Sequence, residues 1–213
     1  STPELFEVLY SGFSPSTLIE VPLASDPGTQ FDYSNLTSHL LGIIVARACD
    51  TDLKSFAQEH LFSPLGVEPG SWKKHWEGYY SGCGDLNLRA RDMAKFGLMY
   101  LDEGQFGGEQ IVPAEWVDES LQTYSEDAWY YRVGSNWGDP GYGYQWWAIT
   151  AGDHRFYLAW GHGGQQIAVL DDLDMVIVAT ANPLVGQHGD GPWKLEKANL
   201  NMVADFAASL PGE

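Results

Sequence analysis

The sequence predicts an α+β fold in which a mainly helical lobe stands beside an antiparallel sheet closed by one last helix. Three observations predict it. Apolar residues recur at helical spacing through residues 34–121, the period shortens to that of strands after Gly134, and helical spacing returns from Trp193 to Leu210.

From Ser34 to Ala48, the residues Leu36, Leu40, Leu41, Ile44 and Val45 share one side of a helix, which reads as core-facing, with Ser34 as its N-cap. A second helix is expected over Thr51–Phe62, capped by Asp50 or Thr51 and halted at Pro64, because proline removes a donor and clashes with the preceding turn. Leu88–Leu101 makes a third that ends near Gly104, and Pro113–Leu121 a short fourth. Beyond Gly134, Tyr142–Ile149, Arg155–Trp160, Gln165–Leu170 and Met175–Thr180 are aromatic or β-branched runs between Gly and Asp turns, the pattern of antiparallel strands. The closing helix, Trp193–Leu210, carries Leu195, Ala198, Met202 and Phe206 on one face. The two lobes are therefore drawn as 1–133 and 134–213 of one domain, with no internal repeat or heptad.

Composition narrows the function. The 213 residues are 44% hydrophobic and 14% aromatic, enough apolar surface for one good-sized core or two small lobes. Eleven basic residues face 29 acidic ones, a net charge of −18, which repels phosphate backbones and anionic membrane surfaces. Nucleic acid is not an expected partner. The same acidity also suits a well-solvated or salt-adapted surface. No apolar run approaches a membrane span and the N-terminus lacks the order of a signal peptide, although a signal upstream of Ser1 stays open. Cys49 and Cys83 have no paired spacing and are expected to be buried free thiols.

A phosphate loop, a paired-histidine zinc helix and a Gly-x-Ser-x-Gly elbow are all missing. The histidines at 39, 60, 75, 154, 162 and 188 show no metal-ligand spacing, so no metal and no other cofactor is expected. Two segments stand out. Pro27-Gly28-Thr29-Gln30-Phe31-Asp32-Tyr33-Ser34-Asn35 delivers a phenol and an amide to the start of a helix, where the positive end of the dipole favours the phenolate form of Tyr33. A tyrosine simply packed at a helix entry is the plainer reading. Trp160-Gly161-His162-Gly163-Gly164-Gln165 joins two strands, and its glycines permit close approach of a ligand to amides that can face a developing oxyanion. An ordinary hairpin turn is the alternative there.

Taken in order, these segments resemble the family of class C β-lactamases, D-alanyl-D-alanine carboxypeptidases, related esterases and nylon-oligomer hydrolases. Pro27-Gly28 through Tyr33-Ser34-Asn35 is similar to its proline-glycine turn and Tyr-x-Asn motif, and Phe62-Ser63-Pro64-Leu65-Gly66-Val67 to its Pro-Leu-Gly-Met segment. Gly82-Cys83-Gly84-Asp85-Leu86 with Arg91-Asp92-Met93-Ala94 resembles its glycine-rich turn and following helix. Gly141-Tyr142-Gly143-Tyr144-Gln145-Trp146 is similar to its Gly-Tyr-Gly-Tyr-Gly-Trp strand, and Val176–Asn182 to the buried strand ending in Thr-Asn. Trp160–Gln165 sits where its Lys-Thr-Gly or His-x-Gly motif belongs.

The resemblance implies a β-lactamase/transpeptidase-like fold and acyl transfer, in which a serine attacks an ester, amide or β-lactam carbonyl. It assigns Tyr33 as general base or acid, Asn35 as the group that positions substrate and lysine, and His162 as the basic residue of the third motif. Trp160, Gly161, Gly163, Gly164 and Gln165 would bind substrate, with the second oxyanion amide between His162 and Gln165. Two registers stay open, since Trp160-Gly161-His162 can also occupy that motif. The family's Ser-x-x-Lys is not found where it belongs, upstream of Tyr33. Ser71-Trp72-Lys73-Lys74 has the letters but follows the tyrosine and reads as a surface turn, while Thr51-Asp52-Leu53-Lys54 has the wrong hydroxyl. The N-terminal strands and nucleophile helix are therefore expected on a missing N-terminal segment of the same protein, the chain's expected partner beside a small-molecule substrate. A non-catalytic binding module and a metal-dependent hydrolase are the rivals. The resemblance favours a periplasmic or secreted location, and His162 in place of an evident lysine favours an esterase or amidase over a β-lactamase.

Overall fold

The computed structural model describes residues 22–23, 25–75, 78–126, 128, 136–182 and 191–212, with the backbone alone at 191–193. Gly134, His188 and the aromatic run 129–131 lie outside these. The chain divides into two compact units, Ser1–Leu88 and Arg89–Glu213.

In the first unit, α1 (Asn35–Ala48) starts at the expected N-cap, where the Ser34 hydroxyl oxygen accepts the Thr37 N–H at 3.3 Å. Its buried residues are His39, Gly42, Ile43 and Ala46, whereas Leu41 and Ile44 are 45% and 51% exposed. This corrects the expected core face of Leu36, Leu40, Leu41, Ile44 and Val45. The reason is close packing: a Cβ on Gly42 would lie 3.2 Å from Gly82 Cα, and one on Gly82 would lie 2.5 Å from the Ser38 carbonyl oxygen. A face of small residues thus admits the glycine-rich segment that a row of leucines would hold off.

The second helix begins later than expected. α2 (Leu53–Ala57) is capped by Asp52, whose Oδ1 accepts the Ser55 N–H at 2.9 Å, rather than by Asp50 or Thr51; Asp50 is left-handed at φ 50°. It runs on as one wide π turn, Gln58–Phe62. Phe62, Leu65 and Val67 are buried beyond it. Both cysteines are free, but Cys49 is exposed at the C-cap of α1, which corrects its expected burial. Cys83 is half-buried, and burial pushes its thiol pKa up.

In the second unit, α3 (Ala90–Leu101) leads to a two-strand hairpin not anticipated from the sequence, β1 (Gln105–Phe106) and β2 (Glu109–Gln110), and then to α4 (Ala114–Leu121). An antiparallel sheet follows in the order β3 (Gly138–Tyr142), β4 (Trp147–Ala151), β5 (His154–Gly161), β6 (Gln165–Leu170) and β7 (Met175–Ala179). The run 142–149, expected as one strand, turns instead, with Tyr142 paired to Trp147. Gly143 makes the corner possible, since a Cβ there would lie 2.2 Å from the Gln122 carbonyl oxygen.

Helices cover both faces of this sheet. Gly97 of α3 approaches so closely that an added Cβ would meet Ile167 Cγ2 at 2.9 Å, while the next side chain back, Gln166, donates to the Asn199 carbonyl of the closing helix at 3.0 Å. Adjacent strand residues point to opposite faces, so the two helices lie on opposite sides. The closing helix α5 (Gly191–Ala208) buries Glu196, Leu200, Val203, Ala204 and Ala207. The face expected from Leu195, Ala198, Met202 and Phe206 is its exposed one, with Met202 at 55%. The buried stripe mixes Leu200 and Val203 with two alanines, and with it α5 settles on β4 and β7.

Candidate active site

Each unit holds part of the predicted site. In the first, Tyr33 stands half-buried one residue before the N-cap of α1 and Asn35 is the first helical residue. The approach to them is a turn in which Thr29 Oγ1 donates to the Asp26 carbonyl at 2.6 Å and Gly28 takes φ 80°. The phenol therefore comes from extended chain at the positive end of a 14-residue helix. One turn further, His39 Nδ1 accepts the Gly82 N–H at 3.2 Å and ties the glycine-rich segment to the same helix. Burial, then the nearby His75, lowers the His39 pKa, which suits a ring used as a neutral acceptor.

In the second unit, Trp160 and Gly161 end β5, paired with Gln166 and Gln165, and His162-Gly163-Gly164 is the whole connection to β6. The Gly164 N–H closes the turn onto the Gly161 carbonyl at 3.1 Å, and Gly163 follows His162 at φ 82°, as a type II turn requires. Gly164 is itself at φ 89°, with space for a Cβ blocked by Asn199 at 2.9 Å. His162 is lifted out at the tip, its side chain 78% exposed.

A residue missed by sequence reasoning holds this turn. Glu196 on α5, only 5% exposed at its side chain, accepts the Trp160 indole N–H at 2.9 Å through Oε1 and the Gly163 N–H at 3.0 Å through Oε2. His162 Nδ1 lies 3.3 Å from the same Oε2. No local signal in the sequence marks it, since the spacing of large residues picks out the other face of this helix. The Gln165 side chain clamps the chain after β7: its Oε1 accepts the Ala181 N–H at 3.1 Å and its Nε2 donates to the Ala181 carbonyl.

Against the model of the family described as Beta-lactamase, the chain matches over residues 14–199. It belongs to that family. Among curated relatives, 6-aminohexanoate-dimer hydrolase of Paenarthrobacter ureafaciens is 27% identical over 159 residues, 73% of this chain and 40% of the relative. Of solved structures, SurE with D-Leu superposes with a TM-score of 0.67 at 22% identity, covering 92% of this chain and 48% of that one. The hydrolase EstCE1, described as having promiscuous acyltransferase activity, gives 0.62 at 14% identity, covering 84% and 58%. The chain thus spans about half the length of the proteins it matches, and the fold is β-lactamase-like α+β with a C-terminal helix.

Ser71-Trp72-Lys73-Lys74 is not a hidden nucleophile motif of this Beta-lactamase family member. It is extended chain, with bridges from Trp72 to Leu86 and from Lys74 to Tyr80, and the Asn87 amide donates to Ser71 Oγ at 2.9 Å. Residues three apart in extended chain project to opposite sides, so Ser71 and Lys74 cannot share a face as they would on a helix. Among the described residues no group of three His, Cys, Asp or Glu side chains is placed to hold a metal ion, and no helix is long and apolar enough to cross a membrane.

Proposed function

We propose that this chain forms the greater part of the site of a serine hydrolase that cleaves an ester or amide bond through an acyl-enzyme, with a Ser-x-x-Lys segment supplied from outside these residues. The observation that carries the reading is the tip of the β5–β6 hairpin, a glycine turn held rigid from beneath that projects an exposed imidazole. Rigid support of a polar group at a strand end is what positioned catalysis needs. In this reading Tyr33 exchanges the proton of the serine hydroxyl, Asn35 positions the substrate, and His162 serves as the basic residue of the third motif. A small-molecule ester or amide is favoured over a β-lactam because His162 stands in place of a lysine. Membership in a family of hydrolases and a 6-aminohexanoate-dimer hydrolase relative support this class.

One observation favours a second reading, a non-catalytic module. The Gly163 N–H is spent on Glu196 and the Gly164 N–H on Gly161, so neither glycine amide of the turn is available to an oxyanion. Labelling separates the two readings. The chain exposed to a fluorophosphonate should remain unlabelled by intact mass, because a tyrosine with no serine beside it lacks the nucleophile. The longer protein should gain one adduct, lost when the serine of its Ser-x-x-Lys is replaced. Stoichiometric labelling of the chain at Ser71 or Thr51 would overturn the assignment, and a longer protein that resists labelling would favour the binding module.

A further inference from the structure

Glu196 sits in an unusual position for a carboxylate. A charged group taken out of water needs partners, and the end of β5 and its turn supply two N–H donors, the Trp160 indole and the Gly163 amide, with the His162 ring in ion-pair distance beside them. The two donors are neutral and lie at 2.9 and 3.0 Å, one to each oxygen. They fix the plane of the carboxylate. His162 Nδ1 is 3.3 Å from Oε2. A carboxylate oxygen repels a nitrogen lone pair that faces it and attracts an N–H, so at this separation the ring form with its proton on Nδ1 is the favoured one. In a neutral ring the lone pair then belongs to the other nitrogen, Nε2, on a side chain that is 78% exposed.

We propose that Glu196 is a positioning residue that holds His162 as the Nδ1–H tautomer, so that Nε2 is the atom presented to a substrate as a proton acceptor. A carboxylate that faces one ring nitrogen fixes which nitrogen is left for the substrate, the positioning role such a group plays wherever it backs a catalytic histidine. The same residue orients the turn, because Oε2 carries both the Gly163 amide and the His162 contact. α5 therefore works as the lever that aims the hairpin tip. Its catalytic meaning rests on the hydrolase reading, whereas the tautomer does not.

The test reads the ring directly. In uniformly ¹⁵N-labelled protein, with His162 resonances assigned through His162→Asn, long-range ¹H–¹⁵N correlation at a pH where the ring is neutral distinguishes a protonated Nδ1 from a lone-pair Nδ1. The Nδ1–H form is expected in the wild type. Glu196→Gln, whose amide can donate toward Nδ1, should move the ring to the Nε2–H form that free imidazole prefers, and Glu196→Asp should restore part of the original signal. A wild-type ring already in the Nε2–H form overturns the proposal even if no variant folds, as does a Glu196→Gln protein with an unchanged tautomer. In the longer protein, Glu196→Gln should lower kcat/KM for a model ester by the order of 10- to 100-fold, as loss of an outer partner typically does, and alter its pH profile. If the tautomer switches and ester hydrolysis is indifferent, the positioning contact stands and it is the hydrolase reading that fails.

Discussion

The closing helix offers a sharp test of how this chain packs, because its largest apolar residues and its buried residues are on different faces. Leu200 is wholly buried while Met202, two positions on, is 55% exposed. Replacing Leu200 by Ala removes three carbon atoms from the core, about 2.4 kcal/mol at roughly 0.8 kcal/mol for each buried methylene-sized group. The cavity left between α5 and the sheet adds to this, so the expected loss is about 2–5 kcal/mol. Met202→Ala removes a comparable side chain from solvent-facing surface, and should change stability by no more than about 0.5 kcal/mol. For a chain of this size each kcal/mol moves Tm by about 2–4 °C, which puts Leu200→Ala roughly 4–20 °C below the wild type and leaves Met202→Ala close to it. Urea unfolding of both variants, with unchanged m-values, would measure the difference. If Met202→Ala costs as much as Leu200→Ala, the helix is seated on the face that its large residues predict and the packing described for α5 is wrong.

A pH dependence follows from His154, a fully buried ring whose Nδ1 meets Asp172 Oδ2 at 2.6 Å and whose Nε2 meets the Leu210 carbonyl at 3.2 Å. Two acceptors favour the doubly protonated ring, and its pKa is raised above the ordinary 6.5, first by the Asp172 hydrogen bond and then by Leu210. The folded state then holds a proton that the unfolded chain releases, so the stabilisation is complete below about pH 6.5 and is lost as pH climbs through the raised value. Urea midpoints measured from weakly acidic to alkaline pH should fall faster for the wild type than for His154→Gln; parallel curves would refute the assignment. Gly97→Ala should cost about 1–3 kcal/mol, since the new Cβ meets Val176 Cγ1 at 2.6 Å and overpacks the α3–sheet seam, whereas an unchanged Tm would mean that the seam is loose.

The architecture was legible because it depends on changes of period and on punctuation. Ser34, Pro64, Gly104 and Pro113 mark helix limits to within three residues, and Gln165–Leu170 is a strand with the limits that its composition predicts. Facing was not legible. In α1 close approach of Gly42 to Gly82 helps choose the core side, and in α5 the buried stripe of Leu200, Val203, Ala204 and Ala207 is not the row that the spacing of Leu195, Ala198, Met202 and Phe206 picks out. The 142–149 run failed for a related reason, since it is Gly143, pressed against the Gln122 carbonyl, that lets the chain reverse inside an aromatic stretch. At the site, Tyr33, Asn35 and the 160–165 turn could be singled out because they are unusual residues in short glycine-marked segments. Glu196 could not. It is an ordinary helical glutamate until the fold places it under a turn 33 residues earlier in the chain.

This dependence of the turn on helix packing is itself testable. Ala204 and Ala207 are wholly buried, and their small size sets how deeply α5 sinks onto the sheet. That depth determines whether Glu196, two turns before Ala204, reaches the Gly163 amide at 3.0 Å or falls short of it. Ala204→Leu adds three carbons to a contact with no room for them, and should cost about 1–3 kcal/mol while shifting the helix outward. The same variant should deprotect the Gly163 amide and the Trp160 indole to hydrogen exchange beyond what its loss of global stability accounts for, because both donors lose the carboxylate that covers them. A variant destabilised by this amount, yet with Gly163 and Trp160 exchanging only through global unfolding, would show that the turn keeps its shape without α5. Glu196 would then be a bystander to the hairpin, and the geometry of His162 would have to be explained from the glycines alone.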